Sequence, residues 1–178
     1  MNEFNHGIGE MSPFFVRELA RLLPEGNPVI WEPFSGATSQ RLDSIDSRLK
    51  IVHSSIDDYG TWCFPHDIRL SNFGNRIFDG AILHPPYWGS KCGKHFDGMG
   101  YEVVRDVYIG QLSVAIHNVC LSVKLGGYVV IVCRDYRLNG NLVKFRELCM
   151  NASEAILALD LVGQISGPPD TGYIYKVK

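Results

Sequence analysis

No stretch of this chain is both long and apolar enough to span a bilayer, because no apolar run approaches the ~18–20 residues required. It also lacks a surplus of basic charge: 17 Lys+Arg stand against 19 Asp+Glu, a formal net charge of −2. Proteins that grip nucleic acid unaided neutralise phosphates with a cationic excess, so this balance argues against strong autonomous DNA binding. Cys63, Cys92, Cys120, Cys133 and Cys149 are odd in number and without framework spacing. That excludes a disulfide scaffold and favours a reduced, cytoplasmic setting. The opening "MNEFNHGIGE" lacks the basic-then-apolar order of a secretory signal. Repeats, low-complexity tracts and dividing linkers are missing too. What remains is 178 residues, 46% of them hydrophobic, enough for one domain with a sizeable core.

The apolar pattern alternates strands with helices. "PFFVRELARLL", 13–23, puts Phe15, Leu19, Leu22 and Leu23 on one helical face, with Ser12 as N-cap and Pro13 at the first helical position. Short strands are expected at 29–32, 50–58, within "TWCFPHDI", and at 79–84. A helix is expected within "ATSQRLDSIDSRL" and a longer one over 106–124, with Val107, Leu112, Val114, Ala115, Ile116, Val119 and Leu121 as its apolar stripe. Gly126-Gly127 should end that helix before the fully apolar strand 128–133. A helix near 142–155 and strands 157–163 and 173–177 complete the series, the last an antiparallel edge candidate. Such alternation predicts an α/β fold with a mostly parallel, seven-stranded sheet and helices on both faces.

In sheets of this kind ligands sit beyond the carboxyl ends of the strands. Four polar clusters fall there: Glu32-Pro33-Phe34-Ser35-Gly36, Asp57-Asp58, Asp67, and His84-Pro85-Pro86-Tyr87-Trp88. The last ends an apolar strand in two prolines, which supply no N–H and fix φ, so the strand breaks into a rigid corner.

"IWEPFSGATS" followed about fifty residues later by "GAILHPPYW" resembles the S-adenosylmethionine-dependent amino-methyltransferases of nucleic acids. That family carries an acid-Pro-Phe-x-Gly motif and an (Asp/Asn/Ser)-Pro-Pro-aromatic motif. "NHGIGEMSPFFVREL" and "VKLGGYVVIVCRD" extend the likeness over most of the chain. The resemblance implies a Rossmann-like methyltransferase fold occupying 1–178 as a single domain. It further implies that S-adenosylmethionine is the cofactor and that an exocyclic amino group of adenine or cytosine in DNA is the target. Glu32, Pro33, Phe34, Ser35, Gly36 and Thr38 would cradle the methionine part, Asp57 rather than Asp58 the ribose, and Asp67 the adenine. His84, Pro85, Pro86 and Tyr87 would be catalytic. An amino lone pair is conjugated into its ring, so acceptors around its N–H bonds, here the Pro85 carbonyl and His84, localise it on the methyl donor. Tyr87 would stack on an extruded base.

Trp88, Lys91 and Lys94 in the following glycine-rich loop, and Arg134 after the fifth strand, are the substrate-side candidates. Two departures stand out. Thr38 occupies the place of a second glycine, and His84 that of an oxygen acceptor; imidazole accepts only through an unprotonated nitrogen. A catalytically silent cofactor-binding subunit is the alternative that these departures permit, and an RNA or other amino substrate is a second. Cys63/His66 and Cys92/His95 have zinc-like spacing but read better as a buried thiol with unrelated histidines, so no metal is expected. No target-recognition region separates the two motifs. Sequence selection is therefore expected from a second copy or a separate recognition subunit, and affinity for DNA alone should be weak.

Overall fold

The computed structural model describes residues 12–36, 39–56, 60–89, 103–167 and 169–178. Helix α1 (Pro13–Leu22) starts as its sequence directs: the Ser12 Oγ accepts from the Phe14 amide at 3.4 Å, and Pro13 loses nothing at a position whose N–H has no helical partner. Strands β1 (Val29–Glu32), β2 (Lys50–Ser55), β3 (Phe64–Pro65) and β4 (Phe78–Leu83) follow. Helix α2 (Arg105–Ser122), β5 (Val123–Cys133), the hairpin β6 (Tyr136–Leu138) and β7 (Asn141–Val143), helix α3 (Phe145–Glu154), β8 (Leu159–Gly167) and β9 (Asp170–Val177) complete the chain.

One seven-stranded sheet runs β3-β2-β1-β4-β5-β9-β8. Its pairs are parallel from β3 to β5, and β9 enters antiparallel between β5 and β8. Alternation along the central strands makes two cores. Ile30, Ile82, Val130 and Val132 pack with Phe15, Val16 and Leu19 of α1. Trp31, Ala81, Leu83, Val129, Ile131 and Cys133 face α2 and α3 on the other side. Helices therefore cover both faces, as the continuous apolar strand runs require.

Several boundaries differ from the sequence reading. Only a six-residue 3₁₀ turn, Ser39–Ser44, forms within the helix expected after β1. Helix α2 stops at Ser122, before the two glycines, and Gly126 instead takes φ +78° where β5 shifts register against β4. Val107, Val114 and Leu121 lie on the exposed side of α2; the buried stripe is Tyr108, Leu112, Ala115, Ile116 and Val119. Residues 141–143 are strand rather than helix. The last strand is antiparallel but lies inside the sheet between β5 and β8, and β8 is the edge. Among the described residues no helix is long and apolar enough to cross a membrane. Cys63, Cys120, Cys133 and Cys149 are buried free thiols.

Candidate active site at the strand switch point

Strand order reverses between β1 and β4, and the carboxyl-end crevice of such a switch point is where open α/β sheets take ligands. Parallel pairing of Ile30 with Gly80 and Trp31 with Ala81 sets Glu32–Gly36 and His84–Trp88 side by side on that rim. The two motifs meet because their strands are neighbours. Further along, Leu83 pairs with Ile131 and Cys133 with Thr171, which brings Arg134 and Asp170 onto the same rim. Continued alternation assigns Glu32, His84, Arg134 and Asp170 to the α1 side of the sheet.

The turn after β1 is saturated with internal bonds. Glu32 is buried, and its Oε1 accepts from the Ser39 Oγ at 2.9 Å. Its Oε2 lies 2.7 Å from the Nδ1 of His53 and accepts from the Ser35 Oγ at 2.9 Å. His53, opposite Glu32 in the β1–β2 register, reaches Asp43 through Nε2 at 2.9 Å. Burial disfavours the imidazolium, but the two carboxylates outweigh it and raise the pKa of His53 above the ordinary value. The Ser35 amide donates to the Ser54 carbonyl at 3.0 Å, and the Gly36 amide to the Ser39 Oγ at 3.0 Å. Pro33 is buried and Phe34 packs against the α2/α3 core. Glu32 therefore faces inward and sets the shape of this turn. His53 was missed at the sequence level; its alternation pattern signalled an inward side chain, but its partner lies 21 residues away.

The corner after β4 is braced from outside and left open within. The Tyr108 hydroxyl of α2 donates to the Pro86 carbonyl at 2.8 Å. The Trp88 indole donates to the Val103 carbonyl at 2.8 Å, and the Tyr136 hydroxyl of β6 donates to the Trp88 carbonyl. Gly89 has φ +74°, and a Cβ there would meet Leu138 at 2.7 Å, so the turn closes tightly under the hairpin. Tyr87 is 6% exposed, with ring centroids 4.9 Å from both Tyr136 and Phe145, and Arg134 lies over its face at 5.8 Å. Burial raises the pKa of its phenol. The structure thus encloses the ring expected to stack on a base.

His84 is half-buried, its Nε2 3.4 Å from the Tyr87 hydroxyl. Its buried Nδ1 has no hydrogen-bond partner among the described residues. Desolvation lowers the His84 pKa; Asp170 and then Glu32 oppose this shift, and Arg134 reinforces it. The ring is consequently neutral at neutral pH. The Oδ1 of Asp170 is the second orphan on this rim: among the described residues it is buried without a hydrogen bond, and the Nε of Arg134 stands at 3.7 Å.

Asp67 is engaged locally. Asp67 accepts from the Arg69 guanidinium at 2.6 Å and from the Arg69 amide at 2.9 Å, and these bonds lower its pKa. Thr38, Asp57, Asp58, Lys91 and Lys94 lie outside the described residues, as do Cys92 and His95. No cluster of metal-ligating side chains occurs among the described residues. Asp135 pairs with Arg146 at 2.7 Å. A cavity of about 380 Å³ lies beside β2, lined by His53, Trp62, Phe64 and neighbours.

No family model and no curated protein matches the sequence. Solved structures do match in shape. A structure of TrmN from Thermus thermophilus aligns with TM-score 0.59 at 10% identity over 96% of this chain and 50% of that one. A TehB-like SAM-dependent methyltransferase from Corynebacterium glutamicum gives 0.54 at 13% identity, covering 90% and 86%. The 16S rRNA (adenine(1408)-N(1))-methyltransferase of Catenulisporales acidiphilia, with cosubstrate SAM, gives 0.55 at 12% identity, covering 94% and 92%. The fold is that of the Rossmann-like methyltransferases. This methyltransferase fold, with its antiparallel β9 inserted beside β5, spans about half the length of the Thermus protein and most of the other two.

Proposed function

We propose that this chain binds S-adenosylmethionine at the switch point and methylates the exocyclic amino group of adenine or cytosine in DNA. The observation that carries the reading is the unpartnered Nδ1 of His84, buried at the mouth of a Pro-Pro-Tyr corner that adjoins a rigid Glu-Pro-Phe-Ser-Gly turn. An unbonded buried polar atom costs about 1–3 kcal/mol, and a bound amino group would relieve that cost.

The cofactor would lie beside the fixed turn, at the carboxyl end of β1 next to β4, where open α/β sheets take their ligands. When bound, S-adenosylmethionine supplies an electrophilic methyl group. Pro33 to Gly36 would hold it from the β1 side, set from beneath by Glu32 and His53, with Thr38, Asp57 and Asp67 completing the cradle. With the Nε2 proton of His84 directed at the Tyr87 hydroxyl, Nδ1 is the acceptor for one amino N–H. The Pro85 carbonyl would take the other. This arrangement draws the amino nitrogen toward tetrahedral geometry before any bond forms, which is preorganisation of the kind that lowers electrostatic barriers.

With a net charge of −2, base selection belongs to a second copy or a recognition subunit, and Trp88, Lys91, Lys94 and Arg134 guide the extruded nucleotide only locally. The enclosure of Tyr87 favours one other reading, a cofactor-binding subunit without turnover. Incubation of genomic DNA, and separately RNA, with labelled S-adenosylmethionine, followed by nucleoside mass spectrometry, decides between them. N-methylated adenine or cytosine in DNA is the expected product. Cofactor binding with no methylated nucleoside would establish the silent subunit.

A further inference from the structure

An imidazole carries no negative charge, so an amino nitrogen that becomes cationic as its bond to the methyl carbon forms lacks a counter-charge on the corner itself. A carboxylate stands nearby in another element. Asp170, at the start of β9, lies on the α1 side of the rim with His84, its side chain nine-tenths buried and its Oδ1 unbonded. Its ion pair with Arg134 stands at 3.7 Å, beyond hydrogen-bond reach, so Oδ1 keeps its capacity to accept a hydrogen bond. The charged groups that act on His84 are Asp170, Glu32 and Arg134, and Tyr87 packs against it. Glu32 is fully committed to His53, Ser35 and Ser39. Asp170 is the anion of the set whose Oδ1 has no hydrogen-bond partner among the described residues.

We propose that Asp170 is a positioning residue for His84, supplying from the β8–β9 hairpin the negative charge that the Pro-Pro-Tyr motif of this chain lacks. The inference rests on the methyl-transfer reading of the site. In the step it serves, the amino nitrogen forms one bond to the methyl carbon, and the carbon–sulfur bond of the donor breaks with its electron pair left on sulfur. The N–H proton passes to Nδ1 of His84. Asp170 stabilises the resulting imidazolium, which then returns its proton to water.

The test is Asp170→Asn, an isosteric change that removes the charge, followed by NMR titration of the imidazoles with the His84 resonance assigned by its loss in His84→Ala. Removal of the anion should move the His84 midpoint further down by about half a pH unit or more, whereas Arg134→Gln should move it up. Transfer should fall at least about tenfold in kcat, with cofactor affinity nearly unchanged and partial recovery in Asp170→Glu. An unmoved His84 resonance in folded Asp170→Asn, or wild-type kcat in that variant, overturns the proposal alone. A wild-type protein that transfers methyl to no amino substrate overturns both the proposal and the reading it rests on.

Discussion

The two turns on the rim of the switch point are built from similar materials and finished differently. In the turn after β1, both oxygens of Glu32 are bonded, and both nitrogens of His53 have carboxylate partners. In the corner after β4, the backbone carbonyls of Pro86 and Trp88 are tied down by Tyr108 and Tyr136, while among the described residues His84 Nδ1 and, on the same rim, Asp170 Oδ1 have no hydrogen-bond partner. One turn is closed so that it keeps its shape. The other is rigid in its frame and unsatisfied at its centre, as a site must be if a substrate is to complete it.

Glu32→Ala should break this contrast most severely. It leaves His53 buried with only the half-exposed Asp43 as a carboxylate partner, which should cost about 3–5 kcal/mol in urea unfolding, together with cofactor affinity. His84→Ala should do the reverse. It removes an unsatisfied atom, so stability should hold or rise, while methyl transfer drops roughly 10²–10³-fold and cofactor binding persists. Tyr108→Phe sharpens the comparison from the side of the frame: loss of the bond to Pro86 should cost about 1 kcal/mol in the same unfolding assay and lower kcat more than it changes KM.

The smallest effect is in pH and separates the turns by sign. The His53 pKa is raised by folding, so its stabilisation is complete below the unfolded value of ~6.5 and is lost as pH rises through the folded pKa. The His84 pKa is lowered, so its contribution is present above ~6.5 and lost as pH falls through its folded pKa. Thermal melts across pH should therefore lose the alkaline drift in His53→Gln and the acid drift in His84→Ala.

Both motifs could be placed from sequence because each ends an apolar strand in proline, which supplies no N–H and cannot continue the ladder. The partners of these motifs were not legible to the same degree. His53 meets Glu32 only through the β1–β2 register, and Asp170 reaches the rim only because β9 inserts beside β5 instead of lying at the edge. The β6–β7 hairpin was readable and was passed over. Asn139-Gly140, at φ +50° and +83°, is the dipeptide that favours a tight hairpin turn, but the apolar pattern beginning at Leu142 suggested an early start to α3. That oversight hid Tyr136, one of the braces of the corner. The glycines after α2 misled for a related reason: they serve a register shift within β5, not a helix end.

The central claim is that a neutral His84 is the acceptor at the open corner, and the pH dependence of single-turnover methyl transfer to DNA tests it most directly. Transfer should fall about tenfold per pH unit below a midpoint under ~6.5, because imidazolium has no lone pair to offer, while cofactor binding stays comparatively flat. His84→Asp, where the shorter side chain still reaches, should flatten this acid limb. A wild-type profile with no acid limb, alongside a nearly fully active His84→Ala, would contradict the account and leave His84 a corner residue only.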